Sequence, residues 1–175
     1  MGPRAIVSIE LLLDADAEQT VRAEWDALAA AGLSSLAAHT AASNRPHVTL
    51  MVRPRIPEFT VEALADRLPL RADLGAPIVF GTGDRRILAR SVIPSPELIA
   101  FHSALHATIC AGDDAPHTQP GAWTPHVTLA RRVRRDDLPT AVAAVGGEVR
   151  ARAITLRRWD AACSAVTVLA GGATP

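Results

Sequence analysis

The apolar positions of this chain fall alternately into strand-like and helix-like patterns. Ala5 to Leu13 is a nearly unbroken apolar run and predicts a first strand. Asp16 and Gln19 then fit a capping box, and Val21, Trp25 and Leu28 recur at helical spacing until Gly32, which reads as the residue just past a helix end. Trp25 falls on the apolar stripe and is expected in the core. Leu33 to Arg45 is a mixed connector with room for a short strand near Leu36 to Thr40. Pro46 to Val52 predicts a strand, ended by Pro54 and Pro57. Thr60 to Leu68 predicts a helix with Thr60 as its cap. Ala76 to Phe80 and Arg86 to Ile93, joined by Gly81-Thr82-Gly83-Asp84, predict a hairpin. Ser95-Pro96-Glu97 opens a helix whose buried stripe is Leu98, Phe101, Leu105 and Ile109. Gly112 to Gly121 is a loop. Trp123 to Val133 holds another strand, Asp136 to Val145 a short helix, and Glu148 to Trp159 and Ala162 to Leu169 two last strands. The tail from Gly171 is expected to fray.

One stretch occurs twice. Pro46-His47-Val48-Thr49-Leu50 returns unchanged as Pro125-His126-Val127-Thr128-Leu129. Each copy follows a strand and a helix, which points to internal duplication. The expected fold is therefore α+β: one bilobal unit over residues 1–175, with two pseudo-symmetric lobes around a central cleft. Each lobe carries a mostly antiparallel sheet with helices outside. Side chains two apart on a strand share a face. His47 and Thr49 should thus line the cleft above a buried Val48 and Leu50, and His126 and Thr128 should do the same in the second copy.

Composition narrows the function class. The net charge is zero, and all eighteen basic residues are arginine. That balance does not mark a DNA-coating protein. Cys110 and Cys163 are too few for a disulfide framework and form no CxxC. Cys110, on an apparent helical stripe, reads as an inert buried thiol, and Cys163 likewise. No apolar run is long enough to span a membrane. The first residues lack the layout of a signal peptide, so the cytoplasm is the default expectation.

Two imidazoles and two hydroxyls facing one cleft suit phosphodiester chemistry. A neutral imidazole takes a proton from the nucleophile while a protonated one supplies the leaving group, since an ordinary pKa of about 6.5 lets both forms coexist. The threonine hydroxyls can hold non-bridging oxygens. Metal binding has less support: each motif supplies one histidine, where zinc wants three or four ligands. His102 and His106 lie four apart on a helix but lack the glutamate of an HExxH arrangement. There is no GxSxG. His39 and His117 sit in loops with nothing to single them out. Arg131-Arg132-Val133-Arg134-Arg135 abuts the second motif and is either a phosphate-binding groove or a solvated face. Trp123 is a candidate base-stacking residue, whereas Phe80 reads as core.

Paired HxTx motifs, one per half, resemble the 2H phosphoesterases, in particular the 2′-5′ RNA ligase and cyclic phosphodiesterase group. Trp123-Thr124-Pro125-His126-Val127-Thr128-Leu129-Ala130-Arg131 is similar to the family's second motif, in which an arginine follows the histidine by five positions. The first copy departs from the commonest bacterial form: Met51-Val52-Arg53-Pro54 stands where that form has Phe-Leu-Gly. The resemblance implies a phosphoesterase acting on 2′,3′-cyclic phosphates or 2′-5′-linked RNA ends, without metal or nucleotide cofactor. It implies His47 and His126 as the acid–base pair, with the second more often the base, and Thr49 and Thr128 as phosphate holders. It also implies Arg131 as a substrate-binding charge. Strand parity alone favours Arg132 instead, unless the strand bulges after Leu129. The implied partner is an RNA end or a small cyclic nucleotide, and a monomer is expected. The competing reading is a non-catalytic RNA- or nucleotide-binding protein using the same cleft.

Overall fold

A computed structural model describes residues 6–172. Its strands are β1 (Val7–Leu13), β2 (His47–Arg53), β3 (Leu70–Arg71), β4 (Leu74–Phe80), β5 (Arg85–Val92), β6 (His126–Arg134), β7 (Arg152–Asp160) and β8 (Ala165–Gly171). The helices are α1 (Ala15–Ala30), α2 (Glu62–Ala65), α3 (Pro96–Thr108) and α4 (Leu138–Ala143). The strands form one sheet in the order β3-β7-β1-β2-β6-β5-β4, with β8 also on β7. Neighbours pair antiparallel throughout. Either side of the β2–β6 junction the order is mirrored: β1 then β7 on one side, β5 then β4 on the other. The fold is the expected α+β arrangement. The lobes are not the two halves of the sequence, however, because the C-terminal β7 and β8 complete the lobe that β1 and β2 begin.

Local chemistry explains most element ends. Asp14, not Asp16, caps α1, its carboxylate accepting from the Ala17 N–H at 3.0 Å. Gly32 follows the helix at φ 72°, and the Gly32 and Leu33 N–H groups bond back to Ala29 and Leu28. That is the Schellman closure, which needs a left-handed residue at this point. Ser95 caps α3 with Pro96 in its first turn. Leu36–Ala38 is a 3₁₀ turn rather than a strand, because the Ser35 hydroxyl caps it. The helix expected over Thr60–Leu68 is one turn long and has no side-chain cap. The expected fraying from Gly171 falls partly beyond the described residues; Gly171 itself ends β8.

The core joins Ile9 and Leu11 of β1, Val21, Trp25 and Leu28 of α1, Leu98, Phe101 and Leu105 of α3, and the apolar members of both motif strands. Trp25 is 2% exposed, as its stripe predicted. Neither cysteine is buried. Helix α3 ends at Thr108, before the stripe reaches Cys110, and Cys163 lies in the turn after β7; both thiols are exposed.

Candidate active site

The two motif strands meet at one registered pair, Val48 with Val127. These are the same position of the repeat, so the local dyad runs through them. Antiparallel register then sets His47 across from Thr128 and Thr49 across from His126. All four side chains are half-buried and line one cavity of about 1280 Å³, while Val48, Leu50, Val127 and Leu129 are buried beneath. The structure thus brings together the quartet that strand parity singled out.

Both motif strands bulge just after the repeat. Leu50 has no partner on β1, whose register passes from Ile9–Met51 to Glu10–Thr49, and Leu129 has none on β5. Leu50-Met51 and Leu129-Ala130 are accordingly consecutive buried pairs. A bulge flips the facing parity of the residues beyond it. Arg131 therefore turns to the cavity and lines it, as does Val52, its counterpart in the first copy. Arg132, favoured by an unbroken strand, does not line the cavity; it sits in a left-handed conformation, φ 63°, at a second register shift, where Arg131 and Arg132 fall between the Leu88–Ala130 and Arg86–Val133 pairs. This second irregularity is held by the Ser34 hydroxyl, which donates to the Arg131 carbonyl, and by Arg85 Nη1, which donates to the Arg132 carbonyl at 3.3 Å.

Beyond their shared pair the strands separate, and side chains satisfy carbonyls that a ladder would otherwise use. Trp25 Nε1 donates to the Thr128 carbonyl at 3.2 Å, and Trp123 Nε1 to the Thr49 carbonyl at 2.9 Å. Each motif threonine is thus held from behind by an indole. Trp123 also stacks on His102 with ring centroids 4.0 Å apart. It lines the cavity, but one face and its N–H are already engaged. His102 Nε2 contacts the Leu50 and Thr118 carbonyls at 3.0 Å each, and His106 Nε2 contacts the Leu50 carbonyl at 3.2 Å. This pair is buried structural bracing. Among the described residues, no cluster of histidine, cysteine and carboxylate groups is arranged to hold a metal.

Burial, then the neighbouring His106, lower the His102 pKa to about 4, outweighing its carbonyl bonds. The native state keeps His102 neutral while the unfolded chain, near pKa 6.5, binds a proton. Stability from this group is therefore complete above about pH 6.5 and declines as pH falls toward 4. Denaturant melts at pH 5 and pH 7 should differ, and the difference should shrink in His102→Gln, which can still donate to a carbonyl.

The two motif histidines are oriented alike. His47 Nδ1 donates to the Arg45 carbonyl at 2.7 Å, and His126 Nδ1 to the Thr124 carbonyl at 2.8 Å. A carbonyl only accepts, so Nδ1 carries the proton in both rings and Nε2 is left for chemistry. Their electrostatic settings differ. Burial holds the His126 pKa below the usual imidazole range, with His117 and His47 adding to the shift and the Thr124 carbonyl opposing it. Phe80 packs on the His126 ring, centroids 4.7 Å apart, and is not part of the buried core. The Glu10 carboxylate lies 3.6 Å from His47 Nε2, an ion pair whenever that ring is protonated.

Glu10 is a site residue that the sequence pattern hides. It sits in a strand that otherwise looks uniformly apolar, yet Ser8, Glu10 and Leu12 alternate onto the cavity face. The polar pair Ser8 and Glu10, two apart inside a buried strand, is the one signal of it in the sequence. Ser8 donates to Glu10 Oε1 at 2.6 Å, and Arg157 Nε donates to Oε2 at 2.8 Å. His39 and His117 also line the cavity, brought there by loops whose path the sequence does not reveal. Of the three arginines that line the cavity, Arg45, Arg131 and Arg157, Arg45 pairs with Glu18 and Arg157 with Glu10. Arg131 makes no salt bridge among the described residues.

No curated protein matches this chain. Two solved structures of Usb1 from Kluyveromyces marxianus resemble it. One, with uridine monophosphate, has 14% identity and a TM-score of 0.47 over 95% of this chain and 98% of that one. The other has 13% identity and a TM-score of 0.46 over 94% and 97%. The family model of the 2′-5′ RNA ligase superfamily matches residues 17–163, which take in both motif strands and the helices that brace them. The chain belongs to the 2′-5′ RNA ligase superfamily, the 2H phosphoesterases.

Proposed function

We propose that this protein hydrolyses 2′,3′-cyclic phosphate or 2′-5′-linked ends of RNA or nucleotides by metal-independent acid–base catalysis. The observation that carries this reading is the dyad-related quartet: two imidazoles with Nε2 turned to one cavity, each across from the other copy's threonine hydroxyl. His126 acts as the base, because its lowered pKa keeps Nε2 unprotonated near neutral pH. It takes the proton of the attacking water. His47, beside the Glu10 carboxylate, acts as the acid and protonates the departing ribose oxygen. Thr49 and Thr128 donate to the non-bridging oxygens, and Arg131, which pairs with no carboxylate among the described residues, balances the charge gathering there. The test is turnover of 2′,3′-cyclic nucleotides and cyclic-ended RNA in EDTA. Loss of activity in EDTA overturns metal independence. Binding without turnover of any such substrate overturns the enzyme reading in favour of a binding protein.

The acid limb of kcat/KM reports the base in the free enzyme. It should lie below the ordinary imidazole value of about 6.5. A charged His117 disfavours protonation of His126, so His117→Asn should move that limb to higher pH. A limb that stays fixed in His117→Asn, or moves to lower pH, would assign the base elsewhere.

A further inference from the structure

The cavity floor holds a guanidinium with unspent donors. The Arg157 side chain is 4% exposed and gives its Nε hydrogen to Glu10 Oε2 at 2.8 Å. Its two Nη groups donate to no acceptor among the described residues. They are not sealed in either: the only fully buried side-chain nitrogen without a partner among those residues is Arg86 Nη1, and Arg157 lines the cavity. A buried carboxylate–guanidinium pair gains little stability over an apolar pair of the same size. Two idle charged donors beside it make this pair poorer still as a structural device.

Its position is informative. In the sheet register Arg157 of β7 lies opposite Glu10 of β1, and Glu10 lies opposite Thr49 of β2. The Arg157 backbone is thus two strands, roughly 10 Å, from the backbone of Thr49. Val52 occupies the place on this side that Arg131 occupies on the other, so the motif strand supplies no cation here. Arg157 stands in from the neighbouring strand. Glu10 fixes the plane of the guanidinium and cancels its net charge. What remains is a directed two-pronged donor, the shape that matches two oxygens of one phosphate.

We propose that Arg157, held by Glu10, forms a second phosphate subsite, which binds a non-reacting phosphate on the 5′ side of the sugar that carries the reacting phosphate. This rests on the phosphoesterase reading for the nature of the substrate. The 5′ group is either the terminal phosphate of a mononucleotide or the diester of an RNA chain.

The two sources separate kinetically. Adenosine 2′,3′-cyclic phosphate is compared with its 5′-phosphorylated form and with diadenosine ending in the cyclic phosphate. A gain for the first addition alone identifies a terminal phosphate, and a gain for both identifies either. Binding supplies a readout that does not need turnover. By calorimetry, adenosine 3′,5′-bisphosphate should bind the wild type about tenfold or more tightly than adenosine 3′-monophosphate, the scale of a charge-assisted bond. Arg157→Lys keeps a cation for Glu10 but removes the fork, and should abolish that preference. The paired variant Glu10→Gln/Arg157→Met, which leaves no buried charge, should abolish it too and guards against a folding defect in the single one. Equal binding of the two nucleotides by the wild type, or a preference that survives in both variants, overturns the subsite. An Arg157-dependent preference without turnover of any cyclic phosphate sustains the subsite and sinks the phosphoesterase reading. Turnover with no preference does the reverse.

Discussion

His126→Ala is expected to lower kcat on a 2′,3′-cyclic nucleotide at least ~10²-fold, the usual scale for a positioned acid–base group. His47→Ala should do the same. On the proposed mechanism the rings act as base and acid in one displacement, so the double variant should be little slower than either single one. The substitutions should leave folding intact, because neither ring belongs to the buried core and each makes one hydrogen bond, to a carbonyl two residues away. The His47 change also leaves Glu10 with two of its partners, Ser8 and Arg157. Steady-state kinetics in EDTA with matched denaturant melts make the comparison. Activity within tenfold of wild type in both variants would overturn the mechanism.

Arg90→Met is expected to destabilise the fold by about 3–5 kcal/mol, the range for breaking a buried charge pair from one side. Arg90 of β5 is 1% exposed. Its Nε donates to Glu24 Oε2 at 3.1 Å, its Nη2 to the other carboxylate oxygen, and its Nη1 to the Gly75 and Gly147 carbonyls at 3.0 and 2.7 Å. Glu24 in turn accepts from the Gly146 N–H at 3.0 Å. One ion pair therefore ties α1, β4, β5 and the turn after α4 together. Methionine would leave Glu24 charged and buried with only Gly146 as a donor. With a urea m-value of about 1–3 kcal/mol/M, the midpoint should fall by roughly 1 M or more. Adding Glu24→Gln should recover part of the loss, since it removes the stranded charge. Trp25, next to Glu24 on α1, donates to the Thr128 carbonyl, so loosening this helix should reduce kcat as well. A midpoint shift of less than a few tenths molar would mean that the site relaxes around the unpaired glutamate.

The legible and illegible parts of the chain divide along a physical line. Local periodicity located β1, α1, both motif strands, the β4–β5 hairpin and α3, because each buries one face and that face leaves a repeating pattern. It failed where the pattern was short or belonged to another cause. Glu62–Ala65 is one turn in a segment that looked like a full helix, since little of it is buried. Residues near Leu36 are a capped turn, because Ser35 offers the backbone a nearby acceptor that a strand would not use. Cys110 fell on an apolar stripe that ran past the helix carrying it.

The repeated PHVTL, by itself, determined the quartet, since an identical strand in each copy must present the same face. It could not determine the surroundings of that quartet. Whether Arg131 or Arg132 faces the cavity depends on a bulge, and a bulge is a mismatch between two strands that one strand's sequence does not contain. The indoles behind Thr49 and Thr128 arrive from elements 74 and 103 residues away. Glu10 and Arg157, 147 residues apart, become partners only because β7 returns to lie beside β1. Local pattern decides which side of a strand a residue takes. Only the assembled sheet decides which residues share that side, and with them the charges that distinguish one histidine from its twin.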